Sequence, residues 1–597
     1  MIEIIATALS IFLVAFVIRI LTARNIGMTW DEGLYALGGM IALKNIATRN
    51  YSHKAWSFEF HPPVLMYFFG IAYATYTFIV TTLKHKQIPN FKLLYQEAIR
   101  LYSGSSSLLV VRLPSAIMGS LSCVLTYFIC LDVFNNPVIG IVAALFLAIT
   151  PMFIALSSLV MLESGVTFFY LLTILSFFRA TEYFSIVYII AAGILLGLTF
   201  GSKETGFLAP LAVAPWLLFS LAKAYTLGGL GLFTEELLFF ILWLLLGALI
   251  FYIVWPLLWK HPITQLKRNL GSVTKMTSRR GAGYSFYSTN LLASTPFLLI
   301  ILYLVGTIES VRLLWTGQME SLIFLSWAFL PLIVMSMPFV PKRGGASELT
   351  FILPPLSILA GLATFAISQN VAMLAHDVFG YIGTSFYGFQ EGGILLALSC
   401  VFLGLVAFQS LKIYPYFVNY CSLAGRFLGK KMLPPGGWGE GMDKAVVYVD
   451  NNAPSNSIVW IYGPKSTAFY HSARVNLRDS SEGQPIFYER TKAGFDSLVD
   501  ENVTDWKKGD LKFYFPYYYK GEHNELDISR LKKEKVSMIV VYHWFTYDPI
   551  ITDLDPGNYR IICELRKKQI PAFTVKIKGL EACWVYKVKD LGEQEKG

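Results

Sequence analysis

From Ile4 to Leu411 the chain returns repeatedly to runs of about twenty mainly apolar residues, the length a helix needs to cross a bilayer's hydrocarbon core. No other property restricts its fold so strongly. Inside hydrocarbon every backbone N–H and C=O must be satisfied within its own segment, so such runs have to be helical. About eleven segments meet the length and composition, at approximately 4–22, 112–131, 138–157, 163–179, 185–201, 205–223, 236–258, 292–308, 321–340, 350–367 and 393–411. With 55% of its 597 residues hydrophobic, 15% charged and a mean hydropathy of +0.53, the chain is excluded from the soluble globular class. The expected class is a mainly α polytopic membrane protein. Arg19 and Arg24 follow the first run rather than precede it, and no small-residue cleavage pattern comes after it, so the run reads as a retained helix and not a signal peptide.

The texture changes at LPPGGWGEGM (433–442), a Pro/Gly-rich boundary followed by mixed, charged sequence. This divides the chain into a membrane module, 1–430, and a soluble α/β domain, 435–597. In the second part Met442 to Val449 reads as a short helix, 457–463 and 536–544 as buried strands, and 573–588 as a hairpin. Asn502-Val503-Thr504 is a glycosylation sequon, a weak pointer to an external location. The six cysteines form no CxxC, although Cys563 and Cys583 fall where neighbouring strands can be bridged. His471, His523 and His543 lack metal-ligand spacing. A net charge of +10 suits anionic partners such as phosphates and membrane lipids; without a basic-aromatic or nucleic-acid motif, nucleic acid is not an expected partner.

Two features of the first module carry chemistry. TWDEGLY places Asp31 and Glu32 directly after the first apolar run, at the membrane–water boundary, where a carboxylate can act as a base on a lipid-anchored substrate. The alternative is an ordinary pair of acids favoured by a helix N-terminus. The connection 23–111 is too long for a plain loop and contains HPPVLMYFFGIAYATYTFIV (61–80), apolar enough to cross the bilayer or to lie along its surface. The basic loop 260–290 belongs in the cytoplasm by the positive-inside rule, but falls on the side of Asp31 if 61–80 lies on the surface.

WDEGLY, FHPPVLMYFF, VRLPSAIMGSL, ITPMFIALSSLVMLESGVTFF, GLTFGSKETGFLA and KRGGASELTFILPPLSILAG, in this order and spacing, resemble the C-type glycosyltransferases that use polyprenyl-phosphate sugars. Within them the set resembles the branch of the protein O-mannosyltransferases and the lipid A aminoarabinose transferase, over about residues 1–430; YPYFVNYCSLAG followed by GWGEGM is similar to the exit into the soluble domain of prokaryotic relatives. The resemblance implies that the first loop faces away from the cytoplasm, that the HPP helix lies on the membrane surface, and that the C-terminal domain is extracytoplasmic. It also implies Asp31 as catalytic carboxylate with Glu32 beside it, a second acidic position at Glu163 where many relatives carry Asp, and inversion at the anomeric carbon.

The expected reaction moves a sugar, a mannose-like hexose first of all, from a dolichyl or polyprenyl phosphate to a protein, glycan or lipid acceptor at a cell membrane. It needs a base for the acceptor hydroxyl, here Asp31, and Glu163 to orient the acceptor or share the proton. It also needs cations for the leaving phosphate: Lys203 and the Arg279–Arg280 pair, then Lys342 and Arg343, with His61 as a hydrogen-bonding partner. Lys203 has a rival reading as the partner of Glu204, and Arg279–Arg280 as a headgroup anchor. No DxD motif stands near the first loop, so no obligatory cofactor is expected, although His61 with Glu59 leaves a divalent metal open. The competing class is a transporter or flippase, which ordinarily shows internal repeats and ionisable residues near the midplane; no two-half repeat is visible, and the acids lie at the ends of spans.

Overall fold

In the computed structural model the described residues are 2–29, 31–52, 56, 61–90, 93–94, 97, 105–268, 283–340, 342, 345–379, 384–427, 439–463, 471–472, 474, 510–514, 526–543, 556–577 and 580–591. The chain separates into two compact units. One comprises Met1–Arg24, Glu59–Phe68 and Arg112–Pro435, the other Asn25–Phe58, Phe69–Val111 and Gly436–Gly597.

The first unit is helical. Among the described residues of the whole chain, eight helices are long and apolar enough to span a membrane, or nine if the bent pair Pro137–Ile149 and Pro151–Ser157 is one span. Each of the eleven apolar segments falls on a helix, but not each on a separate long one. Segments 205–223 and 236–258 form one helical run, Ala209–Val254, interrupted at Gly229, whose φ of 62° and ψ of −150° are not helical. Segments 185–201 and 321–340 yield the shorter helices Ile186–Phe200 and Ser321–Ser336. Val64–His85, the HPP segment, itself meets the length and hydropathy of a span.

Packing follows the sequence pattern. On the helix Ile2–Asn25 the buried positions Ile11, Ala15, Arg19 and Ala23 recur every four residues, while Leu9, Val17 and Leu21 are exposed, as lipid-facing side chains should be. Arg19 is fully buried on that stripe, and its Nε donates to Ser157 Oγ at 2.7 Å. Where helices come closest a small residue is required: a Cβ on Gly306 would lie 1.9 Å from the carbonyl oxygen of Leu359. The helix Leu162–Tyr183 has polar groups towards both ends. Glu163 opens it, and Arg179, about 24 Å along at 1.5 Å per residue, makes a two-pronged pair with Asp132 at 2.6 and 3.1 Å.

The second unit contains a five-stranded sheet: β1 Ser457–Tyr462, β2 Leu511–Tyr514, β3 Val536–Tyr542, β4 Phe573–Ile577 and β5 Leu580–Lys587, in the order β2-β1-β3-β5-β4. β1 runs parallel to β2 and β3, whereas β5 is antiparallel to β3 and β4. The expected strands, the hairpin and the helix at Met442–Asn452 are all present; β2 and the helix Pro556–Lys568 are additional. Val459, Ile461, Val540, Val541 and Val585 are fully buried, so the apolar runs of β1, β3 and β5 form the core of this layer. Cys563 and Cys583 are free thiols and do not bridge. The sequon at Asn502 lies outside the described residues.

Candidate active site

In the helical unit three chain turns bring opposite charges together. Glu163 sits in the first turn of Leu162–Tyr183, Lys203 is the extended residue before the short 3-10 helix Glu204–Leu208, and Glu348 lies in the first turn of the 3-10 helix Ala346–Ile352. Lys203 Nζ donates to Glu163 Oε1 at 2.8 Å and forms an ion pair with Glu348 Oε2 at 3.1 Å. The three side chains are only 4%, 9% and 8% exposed. Gly345, the residue before the second 3-10 helix, has a φ of 89°, a left-handed value that turns the chain so that Glu348 follows on the first turn.

A buried ammonium between two carboxylates is stable only because each charge is matched; removing one partner strands the others in low dielectric. Lys203 holds the two carboxylates in place, and carboxylate oxygens are acceptors to which a hydroxyl can donate.

Beside Lys203 the chain turns the other way. Glu204 does not pair with its neighbour: both its carboxylate oxygens stand 2.9 Å from His61 Nδ1. His61 is placed by the residues that follow it. Pro63 C=O accepts the first helical bond, from Tyr67 N–H at 3.1 Å, Val64 N–H donates to Gly201 C=O at 2.9 Å, and Tyr67 Oη donates to Val254 C=O at 2.8 Å. The two prolines thus supply a helix start without surplus donors, as their sequence position suggested.

Lys342 is committed differently. Its Nζ donates to the carbonyls of Met335, Met337 and Val340 at 2.7, 2.5 and 3.1 Å, closing the end of the helix Ser321–Ser336, and burial lowers the pKa of its ammonium. With three protons on three carbonyls it is a helix-terminating group in this structure. Arg279, Arg280, Arg343 and Glu59 lie outside the described residues.

In the second unit Asp31 occupies the position before the helix Glu32–Ala47. Its carbonyl accepts Tyr35 N–H at 3.1 Å, but its side chain makes no capping bond. Glu32 is 1% exposed and accepts the Thr29 N–H at 2.8 Å, so it closes the turn leading to Asp31. The preceding N–H, of Met28, donates to His471 Nε2 at 3.1 Å, and a Cβ on Gly27 would lie 3.0 Å from that nitrogen and 3.1 Å from Asp443 Cβ. The turn carrying Asp31 is therefore fixed from both sides, and Asp443 comes from the helix that follows GWGEGM. Within that motif Glu440 accepts from Tyr542 Oη at 2.5 Å, while Gly439 N–H donates to the same hydroxyl at 3.1 Å.

Three features escape a reading of the sequence. Glu348 stands in ASELTF, where the signal is a lone acid at the edge of an apolar run; Glu204 reads from sequence only as a partner for Lys203; and the bond from Met28 to His471 joins residues too far apart for any spacing rule.

Residues 89–259 match the sequence model of the family described as dolichyl-phosphate-mannose-protein mannosyltransferase, a stretch that includes Glu163, Lys203 and Glu204. This is the branch to which the motifs pointed. No curated protein matches by sequence. Among solved structures the chain is similar to ArnT from Cupriavidus metallidurans bound to undecaprenyl phosphate, with 12% identity, 98% of this chain and 97% of that one covered, and a TM-score of 0.47. It is also similar to the S. cerevisiae protein O-mannosyltransferase Pmt1-Pmt2 complex bound to the sugar donor (16% identity, 48% and 36% covered, TM-score 0.32). A third is the arabinosyltransferase EmbB from Mycobacterium smegmatis (12% identity, 68% and 41% covered, TM-score 0.37).

Proposed function

Proceeding from that family match, we propose that this integral membrane glycosyltransferase moves a mannose-like hexose from a dolichyl or polyprenyl phosphate to a hydroxyl of a protein, glycan or lipid acceptor, with inversion at the anomeric carbon. The observation that carries the reading is the buried Lys203–Glu163–Glu348 cluster lying in large part within the matched stretch. Costly buried charge in an apolar chain is kept where it is used.

Asp31 takes the proton of the acceptor hydroxyl as the oxygen attacks the anomeric carbon in line with the departing phosphate. The C–O bond to phosphate breaks as the new glycosidic bond forms, and the electron pair leaves with the lipid phosphate. Glu163 and Glu348, held in place by Lys203, accept hydrogen bonds from hydroxyls; Lys203 is a positioning residue. Charge on the leaving phosphate is met by Arg279, Arg280 and Arg343, because Lys342 is engaged with carbonyls. Glu32 and His471 hold the turn that aims Asp31. The helix beginning at Val64 is assigned to the membrane surface, and the C-terminal domain to the extracytoplasmic side, where it meets the acceptor.

Purified protein given a polyprenyl-phosphate mannose and candidate acceptors should release polyprenyl phosphate. Asp31→Asn should lower that release by about a hundredfold or more; release at the wild-type rate would remove Asp31 as the base.

A further inference from the structure

The sheet of the second unit carries a cavity of about 450 Å³, none of whose lining residues has a part in the proposed transfer. It opens where β1 and β3 begin and β5 ends. Ser457 and Val536 start their strands there, and Lys587, the last residue of β5, pairs in register with Met538. Four lysines from separate elements line it: Lys532 from the helix Ile528–Lys533, Lys535 from the turn into β3, Lys587 from β5 and Lys589 from the turn after it. Among the described residues no Asp or Glu is on its wall. Glu534, between two of these lysines in sequence, is turned to Arg530 at 2.7 Å instead.

Four like charges on one wall make the local potential positive and favour an anion there. Two further features belong to a built site. Lys535, on the wall, has a φ of 59°, a left-handed conformation that costs about 1 kcal/mol or more for such a residue and is maintained by its surroundings; Asn456, also on the wall at 58°, is of a type that adopts it readily. On the floor Ser457 and Ser537 share a hydrogen bond at 2.8 Å, and a hydroxyl pair can turn its protons towards an oxyanion. The volume lies in the range of small-molecule sites, about 300–1,000 Å³, and suits one sugar ring with a charged group.

We propose that this cavity binds a phosphate monoester, the phosphate among Lys532, Lys535, Lys587 and Lys589 and the organic portion over Ser457 and Asn456. Phosphate supplies enough acceptor oxygens to engage several ammonium groups as point charges. Two sources share that chemistry, a free sugar phosphate and the headgroup of an anionic lipid.

Full-length protein in phosphatidylcholine nanodiscs is dialysed to equilibrium against radiolabelled glucose 6-phosphate, and separately against glycerol 3-phosphate, a headgroup fragment. Saturable binding is expected, weakened by salt and absent for glucose. The double variant Lys532→Glu with Lys589→Glu changes only exposed side chains and should lower affinity by about tenfold or more; the control Lys567→Glu with Lys576→Glu, equal in charge but off the cavity, should leave it unchanged. Tighter binding of glucose 6-phosphate identifies a sugar-phosphate site, and tighter binding of glycerol 3-phosphate a headgroup site. Absence of saturable binding, or equal loss in both double variants, overturns the proposal.

Discussion

Lys203 joins two acids that sequence alone keeps far apart, and its substitution should report on both fold and chemistry. Lys203→Met removes the ammonium that pairs with both Glu163 and Glu348, each less than a tenth exposed. The expected cost is about 3–5 kcal/mol, seen as a lower thermal midpoint in detergent, together with loss of transfer. The double change Lys203→Met with Glu163→Gln removes a charge of each sign and should recover part of that stability without recovering transfer. If the single variant melted like wild type, the cluster would not be buried as described. Asp31→Asn keeps the size and polarity of the side chain at the position before the helix Glu32–Ala47, so transfer should fall far more than the melting temperature, and activity and stability separate at this residue.

At the scale of elements the turn from Asn25 to Asp31 is the part most open to test. His471 accepts the Met28 N–H through an unprotonated Nε2, while Glu32 accepts the next N–H. His471→Ala removes one anchor and should lower kcat for sugar transfer more than it raises KM. His471→Gln offers an oxygen acceptor in the same region and should restore part of the rate, an outcome that simple loss of packing would not give. Gly345→Ala tests the other turn. At a φ of 89° an alanine costs about 1–2 kcal/mol and displaces Glu348 from Lys203, so transfer should fall alongside a modest loss of stability.

For the whole molecule, acid should loosen the sheet-bearing unit. Burial, and then the neighbouring Arg566, lower the pKa of His543 to about 4 from its usual 6.5, so the unfolded chain takes up a proton first. The stability from a neutral His543 is fully present above about pH 6.5 and is lost as pH falls towards 4. Hydrogen bonding to Arg474 holds the Asp510 carboxyl well below its ordinary range, so its contribution is also lost on acidification, at lower pH. The protection factors of the β3 and β5 amides, their exchange rates measured against the intrinsic rate at each pH, should therefore fall between pH 6.5 and 4, and His543→Phe should flatten the dependence. The proposed extracytoplasmic location is tested by adding protease to membrane vesicles of known orientation: the C-terminal domain should be digested from the extracytoplasmic face alone.

The sequence by itself determined that the first part of the chain is a set of membrane helices and the second a small α/β layer. Both follow from local quantities, the length of apolar runs and the period of the strands, so each segment announced its own structure. The helix start at Val64 and the strands around Val459, Val540 and Val585 were legible for that reason. The long run interrupted at Gly229 was less so, because whether two apolar stretches form one helix or two depends on a single backbone angle that hydropathy does not register. Partners of charged residues were legible least of all. Tertiary structure alone decided that Lys203 meets Glu163 and Glu348 rather than Glu204, that His61 receives Glu204, and that Lys342 closes a helix. A buried charge has to find its counter-charge wherever packing brings one close, and that choice is made by the folded chain as a whole.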